Sequence, residues 1–143
     1  MEEAYCSYEV SKLLKKNGFD GRTYKIYRPN GRGSTIGWVA TNTRLSNHEF
    51  LCNCITRPTH QMACAWLREH NLMNLDIRGY GVFEYDTQER TSVFAYDVEV
   101  VYMRDMTLLA SFYGAKSYEE AVEWGLIHAL QWNSEHIDKR QQL

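Results

Sequence analysis

The chain has 143 residues, 44% hydrophobic and 24% charged, with a net charge of −2. Those values fit a single domain over residues 1–143 with its own core, and the order of elements along the chain makes it α+β. They exclude a disordered chain and a protein that is basic overall, although a local basic patch can hide in such a balance.

The start, Met1 to Tyr5, is acidic and short, with no cationic leader. No apolar run approaches the ~20 residues of a membrane helix. A cytoplasmic location with four reduced Cys is therefore expected. Ten Tyr and four Trp are many for this length, and rings with polar tips suit an interface.

A first helix is predicted over Ser7 to Asn17. Ser7 serves as N-cap, Val10, Leu13 and Leu14 form an apolar stripe, and Gly18 takes the left-handed position after the end. Phe19 then folds back on the helix. Strands follow over Thr23 to Arg28 and Thr35 to Thr41, joined by RPNGRGS, a turn sequence. Its GRGST lacks the Lys and the Gly spacing of a phosphate loop. Asn42 to Glu49 reads as a polar loop, and Phe50 to Ile55 as a short strand.

The second helix is expected from Thr59 to His70, with Met62, Ala63, Trp66 and Leu67 on one stripe. A long hairpin follows, Leu75 to Tyr85 and Thr91 to Met103 about the turn DTQER. Its second arm alternates, with Phe94, Tyr96, Val98, Val100 and Tyr102 on one face and Asp97 and Glu99 on the other. A last strand, Thr107 to Tyr113, leads to a third helix that opens on a capping box, Ser117 to Glu120. The order α-β-β-α-β-β-β-α gives an antiparallel sheet of about five strands with three helices mainly on one face.

Residues 78–85, RGYGVFEY, resemble the octamer with which RNA-recognition motifs stack bases. Arg78, Tyr80 and Val82 share a strand face, supplying the phosphate clamp and one stacking ring. The second ring, Phe83, points the other way. The required β-α-β context before this strand is also missing. An ordinary strand is the favoured reading. Arg78 and Tyr80 remain the candidate binding residues for a nucleic acid or another partner.

Cys52, Cys54, His60 and Cys64 form C-x-C-x5-H-x3-C. His60 and Cys64 lie one helical turn apart, so a zinc ion is geometrically feasible. The spacing matches no common zinc class, and reduced Cys packs as a small hydrophobe. The reading taken is packing, with no cofactor, and zinc on these four residues is the alternative. His70 and His128 read as helix-end and packing residues, and His48 as a loop residue beside Glu49. Asp97 and Glu99 share a face that reads as a solvated sheet surface. No nucleophile elbow, zincin or dinucleotide motif occurs.

Three segments together resemble a known family: SYEVSKLLKKNGFD at 7–20, RPTHQMACAWLREHN at 57–71 and SYEEAVEWGLIHAL at 117–130. They are similar to a family of small uncharacterised proteins from gut Bacteroidales, their phages and mobile elements. Pro58, Thr59, Gln61, Met62, Ala63, Trp66, Leu67, Arg68 and Glu69 fit its middle helix, while Arg57 stands where a small residue is expected. The resemblance carries no activity or cofactor. It implies an accessory factor that acts by binding a host protein or a signalling molecule. The expectation is a non-enzymatic interaction protein with a protein partner or a second copy of itself. A single-stranded nucleic-acid binder on RGYGVFEY is the alternative.

Overall fold

A computed structural model describes residues 4–29, 36–50, 53–83 and 92–141. The first helix, α1, spans Tyr8–Lys16. The Ser7 hydroxyl accepts the Val10 N–H at 3.2 Å. At the other end Gly18 is left-handed at φ 89°. The Gly18 N–H reaches the Lys15 carbonyl at 3.1 Å and the Phe19 N–H reaches that of Leu14 at 2.9 Å. This paired closure returns Phe19 to the core.

Strand β1 is Thr23–Pro29 and β2 is Ile36–Leu45, longer than the pattern suggested. A 3-10 turn covers Asn47–Glu49, and β3 is the pair Ile55–Thr56. Buried Asn47 joins these pieces. Its amide donates to the Phe19 carbonyl at 3.2 Å and accepts the Thr56 N–H at 2.9 Å. Helix α2 is His60–Asn71, capped by the Thr59 hydroxyl on the Met62 N–H. It ends on Leu72, itself left-handed at φ 55°. Strands β4 (Met73–Phe83), β5 (Ser92–Tyr102) and β6 (Thr107–Ala115) precede α3, Tyr118–Gln141. The Ser117 hydroxyl accepts the Glu120 N–H at 3.0 Å, and the Glu120 carboxylate accepts the N–H of Lys116. The turns at 30–35 and 84–91 lie outside the described residues.

The expected single sheet of about five strands is corrected. The strands form two antiparallel sheets, β2-β1-β3 and β4-β5-β6. On the β3 side the cause is edge occupancy. β1 pairs with β2 on one side and β3 on the other, so it offers no edge. Beyond β3, the N-terminal segment pairs with the start of α2 through a Tyr5–Thr59 bridge. Cys6 N–H donates to the Pro58 carbonyl there, and His60 N–H to that of Ala4, each at 2.9 Å. The chain leaving α2 therefore begins a new sheet with β5.

Helix α3 packs across β4, β5 and β6. Gly125 makes that approach possible. A Cβ at this position would lie 2.5 Å from Leu75 Cδ2 and 3.1 Å from Val98 Cγ2. Val10, Leu14, Phe19, Leu67, Met73, Val100, Leu126 and Leu130 belong to one core uniting all three helices with the second sheet. No helix among the described residues is long and apolar enough to cross a membrane.

Candidate functional site

Alternation along β4 and β5 sends Leu75, Ile77, Val98 and Val100 toward the core beneath α3. Asp76, Arg78, Tyr80, Asp97 and Glu99 take the opposite face. Asp76 stands opposite Glu99, and Arg78 opposite Asp97. Arg78 is exposed and turns to Asp76 at 3.2 Å. The Asp97 carboxylate accepts the Gly114 N–H at 3.0 Å. Tyr80 lies against Asp97 too, and the hydrogen bond and charge of that carboxylate hold the phenol above its ordinary pKa. The two candidate binding residues thus share a face, but with three carboxylates around one guanidinium. Such a face repels phosphate. Val82 belongs to β4, and Glu84 and Tyr85 lie outside the described residues.

The proposed metal ligands do not converge. Among the described residues no group of three or more His, Cys, Asp or Glu is placed to hold an ion. Cys52 lies outside the described residues. Among the described residues Cys6 and Cys64 are in no disulfide. Burial pushes the Cys64 thiol up to about 11, so it stays protonated near neutrality. Burial, seconded by Glu123, raises Cys6 further.

His60 turns to Glu123 instead, with Nε2 2.7 Å from Oε1. The same carboxylate accepts the Ser7 N–H at 2.9 Å and the Ser7 hydroxyl at 2.7 Å. Burial works to raise the Glu123 pKa, but the hydrogen bonds from His60 and Ser7 outweigh it and the net shift is downward. Glu123 stands between the other two residues, so His60 does not activate Ser7. The knot ties α1, α2 and α3 together at their N-terminal ends. His70, His128 and His136 share another role. Each donates Nδ1–H to the carbonyl of a Trp four residues earlier and stacks on its ring, with centroids 5.2, 3.8 and 4.1 Å apart. His48 is exposed in the 3-10 turn.

Sequence reasoning missed the feature with the most chemistry. A cleft of about 400 Å³ opens between β1, β2 and the start of α2. Arg22, Lys25, Arg44 and Arg57 line it with Tyr5, Thr23, Tyr24, Thr59 and Met62. Four cations meet there, and among the described residues no carboxylate lines the cleft. Glu49 takes Arg22 from the side at 3.1 Å. Among the described residues no carboxylate lies in ion-pair range of Lys25, Arg44 or Arg57.

Aromatic rings hold these cations in place. Lys25 Nζ sits 4.0 Å from the Tyr5 ring centre and 4.8 Å from that of Trp38. The Arg57 guanidinium lies 4.7 and 4.6 Å from the same two rings. Arg57 Nε also donates to the Tyr27 hydroxyl at 3.2 Å, and that hydroxyl donates to the Cys6 carbonyl at 2.6 Å. Burial raises the Tyr27 pKa, so the hydroxyl keeps its proton for that bond. Two like charges sharing two rings repel each other. The ring quadrupoles offset part of that cost, and an anion between them offsets more.

The backbone supplies the geometry. Between Thr23 and Lys25 the β1–β2 register breaks, with Leu45 and Ala40 as their partners, so β2 carries the longer stretch. Such a bulge re-aims side chains. The Thr41 hydroxyl fixes it, 2.7 Å from the carbonyls of both Tyr24 and Thr43, and Arg44 returns over the Tyr24 ring at 5.1 Å. The first turn of α2 borders the same space and contains no acidic residue of its own.

One sequence signal pointed here. Residues 22–57 carry six Lys or Arg (22, 25, 28, 32, 44 and 57) against the single Glu49, while residues 58–143 carry seven against thirteen acids. The net charge of −2 conceals this division. Comparison with protein-family models, curated proteins and solved structures found no match to the chain.

Proposed function

We propose that this chain is a small non-enzymatic binding protein whose cleft captures a multiply charged anionic small molecule. The observation that carries the reading is four cations lining one cleft with no carboxylate among its described lining residues, two of the cations locked between Tyr5 and Trp38. Preorganised cations lose little entropy on binding. The described lining residues include no His, Cys, Asp or Glu to move a proton. The two lining threonine hydroxyls are committed, Thr23 to the Lys25 carbonyl and Thr59 to the Met62 N–H. Both features favour holding over transforming. The resemblance of three segments to a phage and mobile-element family supports an accessory factor that sequesters a host signalling molecule in the cytoplasm.

Calorimetric titration with tripolyphosphate tests this. Binding that weakens steeply with salt is expected, and Lys25→Glu with Arg44→Glu should abolish it while the fold persists, since Arg44 is exposed. A wild-type chain that fails to bind at low salt overturns the proposal.

A second reading has its own observation. Leu108 and Tyr113 on β6 are largely exposed, and with Tyr80 they suit a contact with a protein partner or a second copy. The single-stranded nucleic-acid reading has less support, because Arg78 is engaged by Asp76 and the face around it is acidic.

A further inference from the structure

We infer that the anion is a free nucleotide, with phosphates among Lys25, Arg44 and Arg57 and the base on Trp38 or Tyr24. The inference rests on the reading of the cleft as an anion site and adds the ligand's class.

Size comes first. A cleft of about 400 Å³ falls in the range of sites for whole organic ligands and exceeds what inorganic phosphate fills. The second feature is the rings. Trp38 and Tyr24 are 50% and 51% exposed, and both stand beside the cleft's cations. Stacking a base on them buries apolar surface that the free chain leaves in water.

The third feature is the floor. The N-terminus of α2, a helix of twelve residues, borders the cleft through Thr59 and Met62. Its dipole adds to the cations' field where a phosphate would sit. A sugar phosphate or a dicarboxylate would use the charges and leave the rings idle. A nucleotide uses both.

A nucleic-acid strand is the less suitable owner of this chemistry. Strand binding needs a basic groove that continues beyond one nucleotide. The open face of the second sheet offers Asp76, Asp97 and Glu99 around an engaged Arg78.

Calorimetry on the full chain, at one ionic strength, compares ATP, GTP and CTP with tripolyphosphate, adenosine and a ten-nucleotide oligodeoxynucleotide. At least one nucleotide should bind about tenfold or more tightly than tripolyphosphate. Trp38→Ala or Tyr24→Ala should erase that margin by weakening the nucleotide more than tripolyphosphate, whose binding falls only as far as the cations lose their ring support. These exposed positions keep the fold out of the comparison. Equal affinity for nucleotides and tripolyphosphate overturns the nucleotide assignment and leaves the anion site standing. Tighter binding of the oligonucleotide overturns the free nucleotide in favour of a strand. No binding by any phosphate overturns both readings.

Discussion

At the residue scale, Glu123 does more than any other single side chain. It accepts from the Ser7 N–H, the Ser7 hydroxyl and His60, and so links three helices. His60 Nδ1 has no hydrogen-bond partner in the interior, so Glu123 is the ring's anchor. Glu123→Gln is expected to cost about 1–3 kcal/mol, the range for disturbing a buried, charge-assisted bond. The pH dependence follows from the downward shift. A carboxyl whose folded pKa lies below its ordinary value of 4.5 stabilises fully above that value and loses its contribution as pH falls through the folded value. Urea titrations of wild type and variant should show a constant gap from pH 7 to about 5 and a closing gap below about 4.5. A gap that widens on acidification would contradict this role. The sequence reads His60 as a packing residue, and it is buried. Its partner was not legible, because Glu123 is 63 residues away and only the tertiary fold joins them.

At the element scale, local signals were readable and long-range pairing was not. Ser7, Gly18, Thr59 and the box at Ser117 each act within a few residues, so the helix boundaries were visible in the sequence. The sheet split was not visible. Which strand takes the second edge of β1 depends on β3, two residues long, and on the N-terminal segment beside it. Neither carries a strong alternating pattern. The seat of α3 on the second sheet gives an element-level prediction. Gly125→Ala raises helix propensity by about 1 kcal/mol but drives a methyl into Leu75 and Val98. Overpacking of this kind costs about 1–3 kcal/mol, so the variant should be net destabilised, read as a lower urea midpoint with unchanged slope. A more stable variant would show that Leu75, a side chain with room to move, simply steps aside.

At the scale of the whole molecule, charge is divided between the two sheets, and that division organises the functional reading. The first sheet gathers Arg22, Lys25, Arg44 and Arg57 around rings, and the second shows Asp76, Asp97 and Glu99 to solvent. A total of −2 averages these regions away, and the cleft's cations are scattered from position 22 to 57. Only the β2 bulge and the approach of Arg57 to Tyr5 and Trp38 bring them together. The motif that stood out in the sequence, RGYGVFEY, instead has its described residues, Arg78 to Phe83, in the acidic half. The two halves give opposite answers in one measurement. Backbone amide NMR shifts, followed while tripolyphosphate is added, should move at residues 22–25, 44 and 57–62 and stay still at Arg78 and Tyr80. Shifts that gather on the β4–β6 face, with the cleft residues unmoved, would contradict the account.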